Sequence, residues 1–404
     1  MKEEGRMDDK EKQFIQEHRE DDVRQLALQA SRYPDIDMSF ALTQIAGWQS
    51  IRDKVPTWAS CPGIIYPPHL PLEQCSSEAT AIYKYGVVAN SGLTDSLADL
   101  TGGFGIDCWF MSRAFQHVTY VERQEELVKI AKHNFEVLKN TISCSMLNVS
   151  SIDWLKGQAS VSWLFLDPAR RDGHGGKTVA ISDCEPDVGA LEETLVQKAC
   201  KVMVKLSPML DLDVALHQLK HVEEAHIVSV DNECKELLLV LCKDVATNIE
   251  QTPIHCVNIK KEKLQEFVFC KAEEQQASCE LAKNMDLYLY EPNASIMKGG
   301  AYRSLANKYC LQKLQVNSHL YTSDKAFNDF PGRRFQVEAV SGFGKNELKT
   351  MLADVTKANL TVRNFPATVA ELRKRLHIAE GGDTYLFATT LHPQQKILVF
   401  CKRL

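Results

Sequence analysis

Short apolar runs alternate with amphipathic stretches from residue 97 to residue 243, and this alternation predicts the central fold. Residues 125–138 have helical spacing, with Leu127, Ala131 and Phe135 on one face. The predicted strands number seven and cover residues 97–100, 118–122, 142–147, 163–168, 201–208, 225–230 and 237–243. We therefore predict an α/β fold with a seven-stranded Rossmann-like sheet that ends in a hairpin.

The flanking segments have other patterns. Residues 1–75 repeat apolar positions at helical spacing and predict a separate N-terminal helical segment before the α/β domain of residues 76–245. Residues 246–290 alternate short strand-like runs with a connector rich in Lys, Glu and Gln, which predicts a small α+β insertion. Residues 291–404 form the remaining α+β domain.

Composition limits the class of protein. The chain has 404 residues, of which 44% are hydrophobic and 25% are charged, as in globular proteins with two or three domains. No apolar run reaches the roughly 20 residues that span a bilayer, and the charged N-terminus does not resemble a signal peptide. The 13 cysteines are scattered without a C-x-x-C pair. We expect reduced thiols, a cytoplasmic protein, no membrane association and no metal site.

The stretch SLADLTGGFGID joins a predicted strand to a glycine-rich turn. Asp99 ends the strand, Gly103 and Gly105 lie in the turn, and the next strand ends in Glu122. Glycines let backbone N–H groups approach a ligand, and a carboxylate after the second strand can accept from both hydroxyls of a ribose. This pattern predicts a site for a nucleotide-type cofactor.

Two cofactors fit such a turn to different degrees. The dinucleotide pattern G-x-G-x-x-G would require a third glycine where Cys108 stands. The pattern of S-adenosylmethionine sites, D/E-x-G-x-G-x-G, is met by Asp99, Gly103 and Gly105, with Thr101 in place of the first glycine. A closing strand hairpin is also typical of class I methyltransferases rather than dehydrogenases. We predict S-adenosylmethionine as the cofactor, bound by these residues and Glu122.

Further candidates lie where other strands and a helix would meet the same site. Ser150, in the turn after the third strand, is predicted to contact adenine. Ser207, after the fifth strand, is predicted to contact the substrate. Ser76 or Ser77 would cap a helix on which Thr80 and Lys84 share a face. Whether that face covers the cofactor or is ordinary helix surface remains open.

The fourth predicted strand ends in a segment that contains the main candidate catalytic residues. Asp167 and Pro168 would place a carboxylate and a rigid residue without an N–H donor beside the transferable methyl group. The aromatic residue that follows this pair in amine methyltransferases is absent, and Arg170 and Arg171 begin a cationic loop that continues as DGHGGK. Two arginines suit a phosphate backbone or a nucleotide. We predict that Asp167, Pro168 and Arg170 border the methyl group and that both arginines contact the substrate.

A cysteine nucleophile would be required for carbon methylation of a pyrimidine. Cys234 lies in the predicted hairpin with Lys235 beside it, and a neighbouring cation lowers the pKa of a thiol. Cys234 is our candidate nucleophile, with an ordinary turn residue as the open alternative.

Charge is distributed unevenly along the chain. The net charge is −6, but residues 291–404 carry 17 Lys and Arg against 9 Asp and Glu. A basic domain beside an acidic body suggests a polyanionic partner, although a solvated basic face is an equal alternative. Arg334 and Arg363 are predicted to bind substrate phosphates, and Tyr321, Phe335 and Phe365 to stack on unpaired bases or fill the core.

Several motifs together resemble bacterial class I S-adenosylmethionine-dependent methyltransferases with a C-terminal THUMP-like domain. The similarity rests on EQCSSEATAIYK, DLTGGFGID, FLDPARR, KLSPMLD, YLYEPNASIMKGG and VRNFP, and extends over nearly the whole chain. It implies a ferredoxin-like piece, expected in residues 246–290, before a THUMP-like domain in residues 291–404. THUMP domains bind RNA in tRNA-modifying enzymes, so the resemblance implies methylation of tRNA or rRNA without identifying the nucleotide.

The sequence thus favours an RNA methyltransferase that needs no metal. One alternative is a methyltransferase for small molecules or proteins, whose terminal domain only shapes the pocket. Another is an RNA-binding protein with a degenerate methyltransferase fold, which the threonine at position 101 leaves open.

Overall fold

A computed structural model describes residues 8–139, 142–157, 160–170, 181–261, 263–353 and 355–404. The α-helices in these residues are α1 (Asp9–His18), α2 (Val23–Leu28), α3 (Met38–Ile51), α4 (Pro56–Ala59), α5 (His69–Gln74), α6 (Glu78–Asn90), α7 (Ile106–Ser112), α8 (Glu125–Val137), α9 (Ser151–Lys156), α10 (Val188–Lys198), α11 (Leu212–Gln218), α12 (Lys271–Gln276), α13 (Ala294–Gly299), α14 (Arg303–Lys308), α15 (Lys345–Met351) and α16 (Val369–Leu376).

The strands are β1 (Ser96–Asp99), β2 (His117–Val121), β3 (Ser143–Leu147), β4 (Val161–Leu166), β5 (Ala169–Arg170), β6 (Cys184–Glu185), β7 (Ala199–Leu206), β8 (Val222–Val230), β9 (Glu233–Cys242), β10 (Ile254–Lys260), β11 (Lys263–Phe269), β12 (Tyr288–Pro292), β13 (Gln312–Lys313), β14 (Tyr321–Ser323), β15 (Gly332–Ser341), β16 (Asn359–Arg363), β17 (Thr384–Leu391) and β18 (Gln395–Arg403).

The α/β sheet contains all seven predicted strands and two more. Its order is β11-β10-β8-β9-β7-β4-β1-β2-β3. β1 pairs in parallel with β2 and β4, β4 pairs in parallel with β7, and β9 runs antiparallel to β7. The predicted α/β class is confirmed, but the predicted count of seven strands is too low. The extra strands, β10 and β11, come from the region that the sequence indicated as a separate α+β insertion.

The chain divides into two compact units. The first comprises residues 1–223 and 237–247, and the second comprises residues 224–236 and 248–404. In the first unit, Trp58 of the N-terminal helical segment packs edge to face against Phe104 and Trp109. These rings are buried or nearly so, and the segment therefore shares the core of the α/β domain.

The second unit contains a seven-stranded sheet in the order β13-β14-β12-β15-β18-β17-β16. Leu289, Phe335, Phe387 and Val399 from four of its strands form one buried cluster. α15 and α16 pack on a neighbouring cluster through Leu348 and Leu372 and leave their polar faces exposed. This packing is the amphipathic arrangement expected of short surface helices.

Local signals explain several element boundaries. The side chain of Ser77 accepts from the N–H of Thr80 and begins α6, as predicted for one of two neighbouring serines. α8 buries Leu127, Ala131 and Phe135, the predicted inward face. No helix in the described part of the chain is long and apolar enough to cross a membrane. All 13 cysteines are free thiols.

Candidate functional site

A cavity of about 450 Å³ lies in the first unit where β1, β2 and β4 end. Its volume falls within the range of roughly 300–1,000 Å³ that small-molecule sites occupy. Its lining includes the predicted cofactor residues Asp99, Thr101, Gly103, Gly105, Glu122, Ser150 and Asp167. The structure therefore brings together side chains from four separate segments at the edge of the sheet where open α/β folds bind ligands.

The glycine turn is shaped by the neighbouring strand. A Cβ at Gly102 would lie 2.2 Å from the ring of Tyr120, so no other residue fits there. Gly103 and Gly105 have φ angles of 54° and 92°, a region that favours glycine. The hydroxyl of Tyr120 donates to the carbonyl of Gly103 at 2.6 Å. The turn is thus held against β2, beside the carboxylate that follows this strand.

That carboxylate belongs to Glu122, which is buried. Its two oxygens accept from the N–H groups of Gly103 at 3.0 Å and Gln124 at 2.9 Å. A carboxylate offers about four acceptor positions, so these two bonds leave capacity for the hydroxyls of a ribose. This remaining acceptor capacity, in a glycine-lined cavity, fits the nucleoside part of S-adenosylmethionine.

Asp99 and Thr101 connect the ends of β1 and β4. The carboxylate of Asp99 accepts from the N–H of Thr101 at 3.0 Å, and the hydroxyl of Thr101 accepts from the N–H of Asp167 at 2.6 Å. Glycine at position 101 could not make the second bond. The departure from the usual glycine therefore has a structural reason. Burial raises the pKa of Asp99 well above its ordinary value, and the nearby carboxylates of Asp107 and Asp167 raise it further.

A buried charge network, defined by Ser76, Lys84, Asp107, Asp167 and Lys205, extends along one wall. Asp107 accepts from the hydroxyl of Ser76 at 2.7 Å and lies 3.2 Å from the ammonium of Lys84. The ammonium of Lys205 lies 2.5 Å from Asp167 and 3.8 Å from Asp107. Although burial raises the pKa of Asp107, the two lysines and the serine hydroxyl lower it overall.

The network includes residues that sequence reasoning missed. Asp107 and Lys205 were not recognised as site residues. The sequence leaves open whether Lys84 lies at the cofactor mouth; in the structure it is completely buried behind Asp107. The position of Lys205 within the apolar run KVMVKLSP could have indicated its role, because a charge in a buried strand requires a partner.

The sequence predicts that Ser150 contacts adenine and that Pro168 and Arg170 border the methyl group. Ser150 begins α9, where its hydroxyl accepts from the N–H of Asp153 at 3.1 Å. Pro168 is buried, and the backbone of Arg170 lies in β5, paired with β6. Arg171 and residues 172–177 lie outside the described residues.

Pro168, Ser207 and Cys234, predicted residues among those described, are not part of the cavity lining. Ser207 follows β7, and its hydroxyl accepts from the N–H of Met209 at 3.2 Å. Cys234 belongs to the second unit, where its sulfur accepts from the hydroxyl of Ser229 at 3.3 Å. The neighbouring cation on which its activation depended, Lys235, lies 2.7 Å from the carboxylate of Glu233. A nucleophilic role for this cysteine stays a prediction.

The predicted basic residues of the second unit already have partners. Arg363 and Arg333 contact the two oxygens of the buried Glu291. Arg334 donates to the carbonyl of Phe327 and the side chain of Asn328. Phosphate binding by Arg334 and Arg363 stays a prediction.

The aromatic candidates for base stacking are mostly core residues. Tyr321 and Phe335 have no exposed surface, and Phe365 packs on Phe343 with ring centroids 4.6 Å apart. Stacking on bases by Tyr321 and Phe335 is therefore wrong, because their rings are enclosed by the sheet core. The core alternative is the correct one for these two rings.

Two family profiles match adjacent parts of the C-terminal region. A family profile described as a ferredoxin-like domain matches residues 288–331, and one described as THUMP domain-like matches residues 332–403. The two matches meet at residue 332, whereas our division of the sequence places its last boundary at residue 291. No match was found among curated proteins.

Solved structures include one similar over the whole chain. The crystal structure of a candidate methyltransferase from Porphyromonas gingivalis W83 is 32% identical, with a TM-score of 0.86, and the alignment covers 98% of this chain and 99% of that chain. An S-adenosylmethionine-dependent methyltransferase from Agrobacterium tumefaciens is 16% identical over 31% of this chain and 42% of that chain, with a TM-score of 0.25. The chain belongs to the class I S-adenosylmethionine-dependent methyltransferase family that carries ferredoxin-like and THUMP-like domains at the C-terminus.

Proposed function

We propose that this protein binds S-adenosylmethionine in the cavity of the first unit and methylates RNA, with a base of tRNA or rRNA as the acceptor. The observation that carries the proposal is the convergence of the glycine turn, Asp99, Glu122 and Asp167 around one cavity of suitable volume. A resemblance in sequence alone would not bring these segments together.

Each side of the cavity has a proposed task. Glu122 accepts from the ribose hydroxyls, while Gly103 and Gly105 let the backbone approach the ligand. Ser150 lies on the side proposed for adenine. Among the described residues, the carboxylates of Asp107, Glu122 and Asp167 line the cavity, and two lysines, Lys84 and Lys205, pair with this group. Carboxylates in excess of lysines suit a ligand that carries a sulfonium and an ammonium group.

S-adenosylmethionine supplies the methyl group on its sulfonium. Asp167 is ion-paired with Lys205, and we propose that its carboxylate oxygens accept a hydrogen bond from a polar group of the substrate. The backbone N–H of Asp167 donates to Thr101, which fixes the carboxylate relative to the glycine turn. We propose that the chain works mainly by positioning, with Pro168 and Arg170 bordering the acceptor.

RNA as the acceptor is supported by the charge and the domain type of the C-terminal region. Residues 291–404 carry an excess of eight positive charges, and the THUMP-like match covers most of this range. Lys345, Lys349 and Lys374 are exposed on α15 and α16. We propose these lysines as phosphate contacts, together with Arg334 and Arg363. The cysteines, all free thiols, support a cytoplasmic location.

Calorimetric titration with S-adenosylmethionine and S-adenosylhomocysteine tests the cofactor site. The parent should bind with micromolar affinity, and Glu122→Gln should weaken binding by about 10- to 100-fold, the equivalent of hydrogen bonds to a charged group. Glu136→Gln, at an exposed position in the same unit, is the matched control and should bind as the parent does. Circular dichroism establishes that each variant is folded. No binding by a folded parent would refute the proposed enzyme.

Salt-dependent binding to total tRNA and rRNA tests the partner. Replacing Lys345, Lys349 and Lys374 by alanine should reduce the slope of log affinity against log salt by about 0.7–0.9 for each phosphate that is no longer neutralised. Alanine at the exposed Lys10, Lys12 and Lys129 removes the same charge from the first unit and should leave the slope unchanged. Cofactor binding without RNA binding would favour a small-molecule or protein substrate. RNA binding without cofactor binding would favour a degenerate fold.

A further inference from the structure

Two histidines and two glutamates gather on one face of three adjacent strands in the second unit. His226 of β8 and His255 of β10 are register partners in a parallel pair. Glu224 precedes His226 by two residues, so its side chain lies on the same face. Glu266 reaches His255 from β11, which pairs with β10. This placement joins four polar side chains from three chain segments.

The distances between nitrogen and oxygen atoms in this cluster are close to those between the ligands of one metal ion. Oε1 of Glu224 lies 3.4 Å from Nε2 of His226, and Oε2 of Glu224 lies 3.5 Å from Nε2 of His255. One ligand atom from each of the three residues falls within 4.8 Å of the others. A tetrahedral zinc ion with bonds of about 2.0–2.1 Å separates its ligand atoms by roughly 3.3–3.4 Å. The observed separations between carboxylate and imidazole therefore need little adjustment to coordinate one ion.

The orientation of the imidazoles agrees with coordination. The two rings stack with centroids 4.5 Å apart and planes 20° from parallel, so they approach Glu224 side by side. Nδ1 of His255 lies 2.8 Å from Oε1 of Glu266, which leaves Nε2 on the side of Glu224. A carboxylate on the second ring nitrogen is the usual support of a metal-bound histidine, because it fixes the ring and makes it a better ligand.

We propose that Glu224, His226 and His255 bind a divalent transition-metal ion of the zinc class that links β8 to β10, with Glu266 as the residue that positions His255. Two imidazoles and one carboxylate favour zinc over magnesium or calcium, which prefer oxygen ligands. The fourth position would be taken by water. This site lies in the second unit and is independent of the proposed methyl transfer. It revises the expectation from the sequence, which considered only cysteine patterns.

A metal-free ion-pair cluster is the competing arrangement. Although burial lowers the pKa of His255, hydrogen bonds to Glu224 and Glu266 raise it to about 9. The two carboxylates can therefore hold a protonated imidazole without any metal. The two arrangements differ in whether the folded protein takes up one equivalent of zinc through these residues.

Zinc titration of the full-length protein, after treatment with a chelator, separates the two arrangements. In competition with a chromophoric chelator, the parent should bind one zinc ion with micromolar or tighter affinity. His255→Gln and, separately, Glu224→Gln should weaken binding at least 100-fold. Glu266→Gln, which keeps all three ligands, should weaken it by about 10- to 100-fold. His217→Gln, at an exposed histidine of the first unit, is the matched control and should bind as the parent does.

Cobalt substitution tests whether any of the 13 cysteines bind the metal instead. A cobalt ion bound by nitrogen and oxygen should give visible bands of a tetrahedral site without an intense thiolate charge-transfer band. Circular dichroism shows whether a variant has lost affinity only by unfolding, and weaker binding in two folded ligand variants is the supporting result. Equal zinc affinity in the parent and in folded His255→Gln would overturn the proposal. So would a thiolate band, or failure of the parent to bind zinc.

Discussion

Both compact units bury a carboxylate between two basic side chains, yet the two clusters differ in what surrounds them. In the first unit, Asp107 lies between Lys84 and Lys205 on a wall of the cavity. Lys205 also pairs with Asp167, and the buried Glu122 faces the same space. These carboxylates therefore outnumber the two lysines, and they border a space large enough for a ligand.

In the second unit, Glu291 is matched by the guanidinium groups of Arg333 and Arg363, one on each carboxylate oxygen. Here the basic side chains come from β15 and β16 and fix the position of β12. A buried carboxylate with two basic partners therefore does not by itself identify a binding site. An unbalanced cluster beside a cavity indicates ligand binding, whereas a saturated cluster indicates stabilisation of the fold.

The largest expected effect is on the cluster of the first unit. Lys84→Met should lower the free energy of unfolding by about 3–5 kcal/mol, because it removes one partner of a buried ion pair and leaves Asp107 less well compensated. All five tryptophans lie between residues 48 and 163, so their fluorescence in urea reports the unfolding of the first unit.

Two further variants sharpen that measurement. The double variant Lys84→Met/Asp107→Leu should recover most of the loss, since replacing a whole buried pair by apolar residues is often neutral. Lys129→Met, at an exposed position of α8, should change the free energy of unfolding by less than about 0.5 kcal/mol. A loss below about 1 kcal/mol in Lys84→Met would contradict the assigned role of the pair.

An intermediate effect is expected for the saturated cluster. Glu291→Gln should destabilise the second unit by about 1.5–3 kcal/mol, because hydrogen bonds to a charged group are replaced by weaker ones. Hydrogen exchange of peptides that cover β12 and β15 measures this loss. Cofactor affinity should stay unchanged, since Glu291 is not among the residues that line the cavity. A large loss of cofactor affinity in Glu291→Gln would contradict the assignment of this cluster to stabilisation of the fold.

The sequence predicted the parts of the site that are local in the chain. The glycine turn follows β1 directly, and Glu122 directly follows β2, so turn and acid could be recognised together. The seven strands were predicted because their apolar runs have strand length and polar ends. Pairing of β10 with β8 was not predicted, because a short apolar run does not specify its neighbour in the sheet.

Contacts between distant residues account for what could not be predicted. Lys205 is 38 residues from Asp167, and Arg333 and Arg363 are 42 and 72 residues from Glu291. A sequence shows that these residues are charged but not which of them meet. The arginines of the second unit were therefore assigned to an external partner, although the structure also gives them an internal one.

The smallest expected effect, counted per pH unit, is a pH dependence of the free energy of unfolding. It distinguishes two buried carboxyls of the cavity, those of Asp99 and Asp107. The pKa of Asp99 is raised, so the folded protein keeps a proton there that the unfolded chain releases above about pH 4. Its contribution to stability must then fall as the pH rises, by at most about 1.4 kcal/mol per pH unit for one proton, until the native pKa is passed. Asp99→Asn should therefore gain stability relative to the parent between pH 5 and pH 7.

Asp107→Asn should change the stability in the opposite direction, as a loss relative to the parent. Because the native pKa of Asp107 is lowered, its stabilising contribution is complete above about pH 4 and is lost only as the pH falls further. This variant should be less stable than the parent by a constant amount from pH 5 to pH 7. Urea unfolding followed by tryptophan fluorescence at several pH values measures both differences. Parallel pH profiles for the two variants would show that these carboxyls share one environment, and the contrast between a desolvated and an ion-paired acid would then be lost.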